Sequence, residues 1–190
     1  MEKKIKEVRL KEIRALEDEE QERMLVEGYA IVFDEPTDLG YIEIIDRGAL
    51  DNCDMSDVCL KYNHEDTYLI MARTRNKSLQ LEVDDRGLKI RAELIDTMSN
   101  RDVYKSIQAG LLDKMSFAFI VSDANWETID GVDVRHITGI GKLFDVSVVD
   151  VPAYAQTEIY ARSKDVVEKE QEEYHKLQLE KEKLMLLLSL

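Results

Sequence analysis

The chain has 190 residues, a mass of 22.0 kDa and a formal net charge of −14, with a pI of about 4.7. So acidic a surface repels phosphate backbones, which argues against nucleic-acid binding as the main task, and no run of 18 apolar residues is present to span a membrane. An apolar content of 44% is ample for one core, in one domain with an appendage.

Residues 1–30 carry no signal-peptide pattern. Cys53 and Cys59 have no metal-ligand spacing and make no disulfide framework, so reduced thiols are expected, with no metal and no cofactor.

Residues 4–33 predict two strands. Ile5, Val8, Leu10 and Ile13 alternate imperfectly, an acidic break follows at Glu17-Asp18-Glu19-Glu20, and Met24 through Phe33 makes a long apolar strand. Pro36 helps end it, because proline has no N–H for a ladder. A short strand is expected at 41–45, with Asp46 capping a short helix through Leu50. At a period of two, Val58, Leu60, Tyr62 and His64 share one strand face. Leu79–Val83 and Leu88–Leu94 predict a hairpin around Asp84-Asp85-Arg86-Gly87.

The best internal helix covers about residues 100–109. Ser99 with Asp102 resembles a capping box, Val103 and Ile107 share a face, and Gly110 is placed to terminate it. Met115–Val121 and Leu143–Val149 read as buried strands, with a turn at Asp130-Gly131 and an edge strand between them. The main domain is expected to close near Tyr160, giving residues 1–160 and an extension over 161–190. From Arg162 onward there is no glycine or proline, and Val167, Tyr174, Leu177, Leu184 and Leu188 take heptad-like positions that Glu170 and Lys181 interrupt. That pattern predicts an amphipathic helix whose leucine-rich end wants a partner.

Three histidines make the search for a base short. His64 ends an otherwise apolar strand face and serves either structure or chemistry. Ser116 lies just beyond the helix and its glycine, on a face with Ala118 and Ile120, either bonded into its own sheet or free to react. Asp145 is the one charge in Leu143–Val149. Burying a lone carboxylate costs several kcal/mol unless it is paired, so Asp145 either meets a partner such as a histidine or lies on a wet edge strand. A hydroxyl, a base and a group that orients the base are what acyl transfer needs, but spacing alone does not select this trio.

In order along about residues 10–160, the chain carries Glu12-Ile13-Arg14, Glu27-Gly28-Tyr29-Ala30-Ile31-Val32-Phe33, Arg47-Gly48-Ala49-Leu50, Asn63-His64-Glu65 and Asp85-Arg86-Gly87-Leu88. Gly110-Leu111-Leu112-Asp113-Lys114-Met115-Ser116-Phe117 follows, then Leu143 to Val149 with Pro152-Ala153. This ordered set resembles the phage prohead (capsid-maturation) protease family. The resemblance implies an α+β fold similar to the herpesvirus assemblin proteases, a mostly antiparallel β-barrel flanked by helices. It also implies Ser116 as nucleophile, His64 as general base and Asp145 as third member. The family commonly has glutamate at the Asp145 position and glycine at that of Ala118, and related viral enzymes use a second histidine, which makes His136 the rival to Asp145. The implied activity is a serine endopeptidase that cleaves the scaffolding region of the major capsid protein, and itself, inside the assembling prohead in the host cytoplasm. Expected partners are that capsid or scaffold substrate and further copies of the chain, with no nucleic acid and no membrane. The alternative is a catalytically silent assembly or scaffolding protein. A cysteine hydrolase built on Cys59 is disfavoured, since that side chain points away from His64 on the strand.

Overall fold

The computed structural model describes residues 7–16, 23–66, 70–150 and 158–188, with side chains described from Ile13 in the first segment and from Val166 in the last. Ten strands and two helices lie among these residues. They are β1 (Glu7–Leu16), β2 (Met24–Val32), β3 (Thr37–Asp38), β4 (Ile42–Ile45), β5 (Cys59–Tyr62), β6 (Ala72–Arg73), β7 (Leu79–Val83), β8 (Gly87–Leu94), α1 (Met98–Gln108), β9 (Lys114–Ile129), β10 (Val132–Val149) and α2 (Glu158–Leu188).

The strands join in the order β3-β4-β10-β9-β1-β2-β8-β7, with β5 pairing β10 and β6. The α+β class stands. The closed barrel is not found: among the described residues no ladder joins β7 to β3. Most neighbours are antiparallel, but β10 runs parallel to β4 through Val134–Ile137 and to β5 through Asp145–Val148.

β9 and β10 form the spine, a single long hairpin. Asp130 and Gly131, at φ 51° and 79°, make its two-residue turn, the left-handed pair that a type I′ hairpin requires. The edge strand expected between Met115–Val121 and Leu143–Val149 is therefore the first half of β10, enclosed by β9 and β4. The core side of β10 carries Ile137, Ile140, Leu143, Val146 and Val148. Three of those four steps span three residues, because register shifts between Ile137 and Asp145 add residues to β10. Phe117 and Phe119 stack at 4.9 Å between ring centroids beneath this strand. Burying each such side chain contributes about 1.5–3 kcal/mol.

α1 starts two residues earlier than the spacing predicts. Its cap is Thr97, whose Oγ1 accepts from the Asn100 amide at 3.2 Å, while Ser99 lies inside the helix. Val103, Tyr104 and Ile107 are buried, and Tyr104 donates to the Leu16 carbonyl at 2.8 Å, fixing α1 against β1. Gly110, at φ 69°, ends the helix as expected and turns the chain into β9. No helix forms at 46–50. Gly48 takes φ 86°, and successive turns close through the Asp46, Gly48 and Leu50 carbonyls instead.

α2 docks on the β9–β10 hairpin through a buried arginine. Arg135, on β10 and fully enclosed, donates to Glu43 of β4 at 3.0 Å and to Glu170 of α2 at 2.9 and 3.1 Å. Val167 is buried, Tyr174 stacks on Trp126 at 6.5 Å, and Gln171 and His175 both bond Asp133. Glu170, which interrupts the expected heptad seam, is thus what fastens the helix to the sheet. The remaining seam positions, Leu177, Leu184 and Leu188, are exposed. No helix among the described residues is long and apolar enough to cross a membrane.

Candidate active site

Near its C-terminal end, β10 lies between β9 and β5, and the three strands set the register of a buried polar group. Across the β9–β10 ladder Asp145 faces Ala118 and Ser147 faces Ser116. Leu143 faces Phe119, so Phe144 is an extra residue in the strand. Without that bulge, Asp145 would lie on the core face with Leu143. With it, Asp145 joins Ser147, Ser116 and Ala118 on the opposite face, a bulge re-aiming a side chain. Asp145, Ser147, Ser116 and Ala118 are all fully enclosed. The edge-strand alternative for Asp145 is therefore excluded.

His64 reaches this face by a route the alternation did not predict. β5 ends at Tyr62, and Asn63 and His64 both take left-handed φ, 50° and 57°. The Glu65 amide closes the turn onto the Tyr62 carbonyl at 3.0 Å. Positive φ is uncommon for residues with a β-carbon and persists where the surroundings fix it. Here Asn63 fixes it: its amide donates to the Val148 carbonyl at 2.9 Å, and its side-chain oxygen accepts from the Asp150 amide at 3.2 Å. The turn is thereby fastened to the end of β10.

The imidazole Nδ1 lies 2.5 Å from Asp145 Oδ1 and 3.1 Å from Ser147 Oγ, while Ser147 donates to the same Asp145 oxygen at 2.9 Å. Because the single hydroxyl proton of Ser147 goes to the carboxylate, Nδ1 must be the donor to both neighbours. That assignment leaves Nε2 of the neutral ring as the acceptor. His64 Nε2 and Ser116 Oγ are both buried with no hydrogen-bond partner, and they do not bond to each other. Buried polar atoms are nearly always partnered, so two such atoms around one strand pair call for a cause. Opposed residues in an antiparallel ladder hold their Cβ atoms about 4.5–5.5 Å apart. Ser116 thus stands beside Ser147, which touches His64.

Lys61, on β5 opposite Ser147, places Nζ 3.7 Å from Asp145 Oδ2 and 2.5 Å from Asp66. Burial alone would lower its proton affinity, but the Asp66 and Asp145 carboxylates outweigh that and raise it. Of the residues singled out in the sequence, the fold brings His64 and Asp145 into contact and sets Ser116 on the adjoining strand. Ser147 and Lys61 were missed. Ser147 was legible only as the residue two beyond Asp145, and Lys61 carried no signal.

His136 is not part of the group. It lies nine positions before Asp145 on β10, where both ring nitrogens are held by carboxylates, Nδ1 by Asp46 at 2.7 Å and Nε2 by Glu127 at 2.9 Å. Burial pushes the Cys59 thiol up, the opposite of an activated nucleophile. Burial likewise pushes Cys53 up to about 11, and both cysteines are free. Among the described residues no cluster of three or more His, Cys, Asp or Glu could hold a metal ion.

A family described as caudovirus prohead serine protease matches residues 9–173. No curated protein and no solved structure matches the chain.

Proposed function

The chain belongs to the caudovirus prohead serine protease family, and from that premise we propose that it is the endopeptidase of head maturation, with Ser116, His64 and Asp145 as its catalytic residues. Its substrates on this reading are the scaffolding region of the major capsid protein and the chain itself, cut inside the assembling shell. The observation that carries the assignment is the state of one imidazole. Its Nδ1 is engaged by a fully enclosed carboxylate, and its Nε2 is unpartnered, like the hydroxyl of Ser116 on the neighbouring strand.

Ser116 Oγ attacks the scissile carbonyl while His64 Nε2 takes its proton. Asp145 holds the Nδ1–H tautomer and stabilises the imidazolium that forms. The proton then passes to the leaving amine, and water cleaves the acyl-enzyme with His64 again as base. A nucleophile–base hydrogen bond that tightens only when substrate is bound accords with the unbonded pair found here. Residues 162–190, with Leu184 to Leu188 exposed, are the element of self-association or of recruitment to the capsid precursor in the same reading.

Co-expression with the major capsid precursor of the same phage tests this. The wild-type chain removes the scaffolding region, and Ser116→Ala leaves the precursor whole while folding normally. Precursor processing by Ser116→Ala would refute the assignment.

A further inference from the structure

Resting on that catalytic reading, we propose that Lys61 is a positioning residue that sets the proton affinity of His64 through the second oxygen of Asp145. The two carboxylate oxygens are divided. Oδ1 takes the imidazole at 2.5 Å, and Oδ2 faces the Lys61 ammonium at 3.7 Å. The carboxylate is fully enclosed, and the side chains of Lys61 and His64 are only 14% and 11% exposed, so water screens these charges weakly.

A buried carboxylate acting on histidine alone favours the imidazolium strongly. An imidazolium cannot serve as base, because its Nε2 already carries a proton. The ammonium beyond Asp145 opposes that second positive charge and shifts the balance toward the neutral ring. Lys61 therefore keeps Nε2 free to accept from Ser116 at lower pH than the His64–Asp145 pair would by itself.

The other charged and titratable groups around the pair do not supply this effect. Asp66, 86% exposed, holds the far side of the ammonium, and Glu65 in the His64 turn is exposed. Next along β5, the Cys59 thiol is pushed toward its protonated form by burial, and beyond it on β6 Arg73 is bonded to Asp57. Tyr62 donates to Asp150 at 3.1 Å. On β9 the facing residues are Ser116 and Ala118, which carry no charge.

NMR titration of the histidine ring protons in the full chain tests the proposal, on a Ser116→Ala background so that no self-cleavage intervenes. His64→Asn identifies the His64 signal among the three. Lys61→Met raises the His64 midpoint by about one pH unit, Lys61→Arg returns it to the parent value, and His136 and His175 keep theirs. In the chain with Ser116 intact, the acid limb of fluorophosphonate labelling moves up by the same amount in Lys61→Met. A His64 midpoint that stays or falls in Lys61→Met, or that Lys61→Arg does not restore, overturns the role of Lys61 and leaves the catalytic assignment standing. Cleavage of the capsid precursor by the Ser116→Ala parent removes the catalytic assignment whatever the titration shows.

Discussion

Ser116 and Ser147 are opposed residues of one antiparallel ladder, and their hydroxyls have different fates: that of Ser147 bonds both Asp145 and His64, and that of Ser116 bonds nothing. On the proposed mechanism, the first is a support and the second is the reactive group. A hydrogen bond to a charged group contributes about 1.5–3 kcal/mol, and each 1.36 kcal/mol is about tenfold in rate. Ser147→Ala should therefore lower kcat about ten- to a hundredfold with KM nearly unchanged, whereas Ser116→Ala abolishes turnover. Steady-state kinetics on a peptide spanning a mapped cleavage site makes the comparison. Equal inactivity of the two variants would contradict the division of roles.

The docking of α2 depends on Arg135, which is fully enclosed between Glu43, 2% exposed, and Glu170, 37% exposed. Removing one member of a buried ion pair leaves the other charge without compensation and costs about 3–5 kcal/mol. Arg135→Met should lose stability in that range by urea denaturation. Glu170→Gln should lose clearly less, because water reaches that carboxylate. The double change Glu43→Leu with Arg135→Met should recover most of the loss.

On the proposed reading His136, both of whose ring nitrogens are held by carboxylates, bears on stability. Burial alone would lower its proton affinity, but the Asp46 and Glu127 carboxylates outweigh that and hold it above the usual histidine value. A base that binds its proton more tightly in the folded state contributes stability that is complete below the unfolded pKa of about 6.5 and is lost as pH rises through the folded value. The melting temperature of the wild type should fall between about pH 6 and pH 8, and that of His136→Gln should fall less over the same interval. Thermal melts at matched ionic strength provide the check.

The strand and helix segments were largely legible because their side chains alternate or recur with simple periods. The β7–β8 hairpin follows from that alternation and its turn residues, and β2 and the strands around Ser116 and Asp145 follow from their apolar runs. The candidate site residues followed from ordered motifs, but their relative placement did not. Period-two counting put His64 on the Tyr62 face, yet two consecutive left-handed residues carry it to its position. The same counting puts Asp145 on the Leu143 side, and the extra residue Phe144 turns it to the other. Both departures are backbone events of one or two residues, stabilised by contacts such as Asn63 to Val148 that join segments more than 80 positions apart, and no local pattern encodes them. Glu170 was misread for a related reason. A charge in a heptad seam looks like a flaw until the buried arginine it meets on another strand is known.

The most direct test of the account is to treat the wild-type chain with a fluorophosphonate and locate the adduct by tryptic mass spectrometry. The account predicts one adduct, on the peptide containing Ser116, and none in His64→Ala, where the base is missing. An adduct on Ser147, or labelling of Ser116 undiminished in His64→Ala, would contradict it.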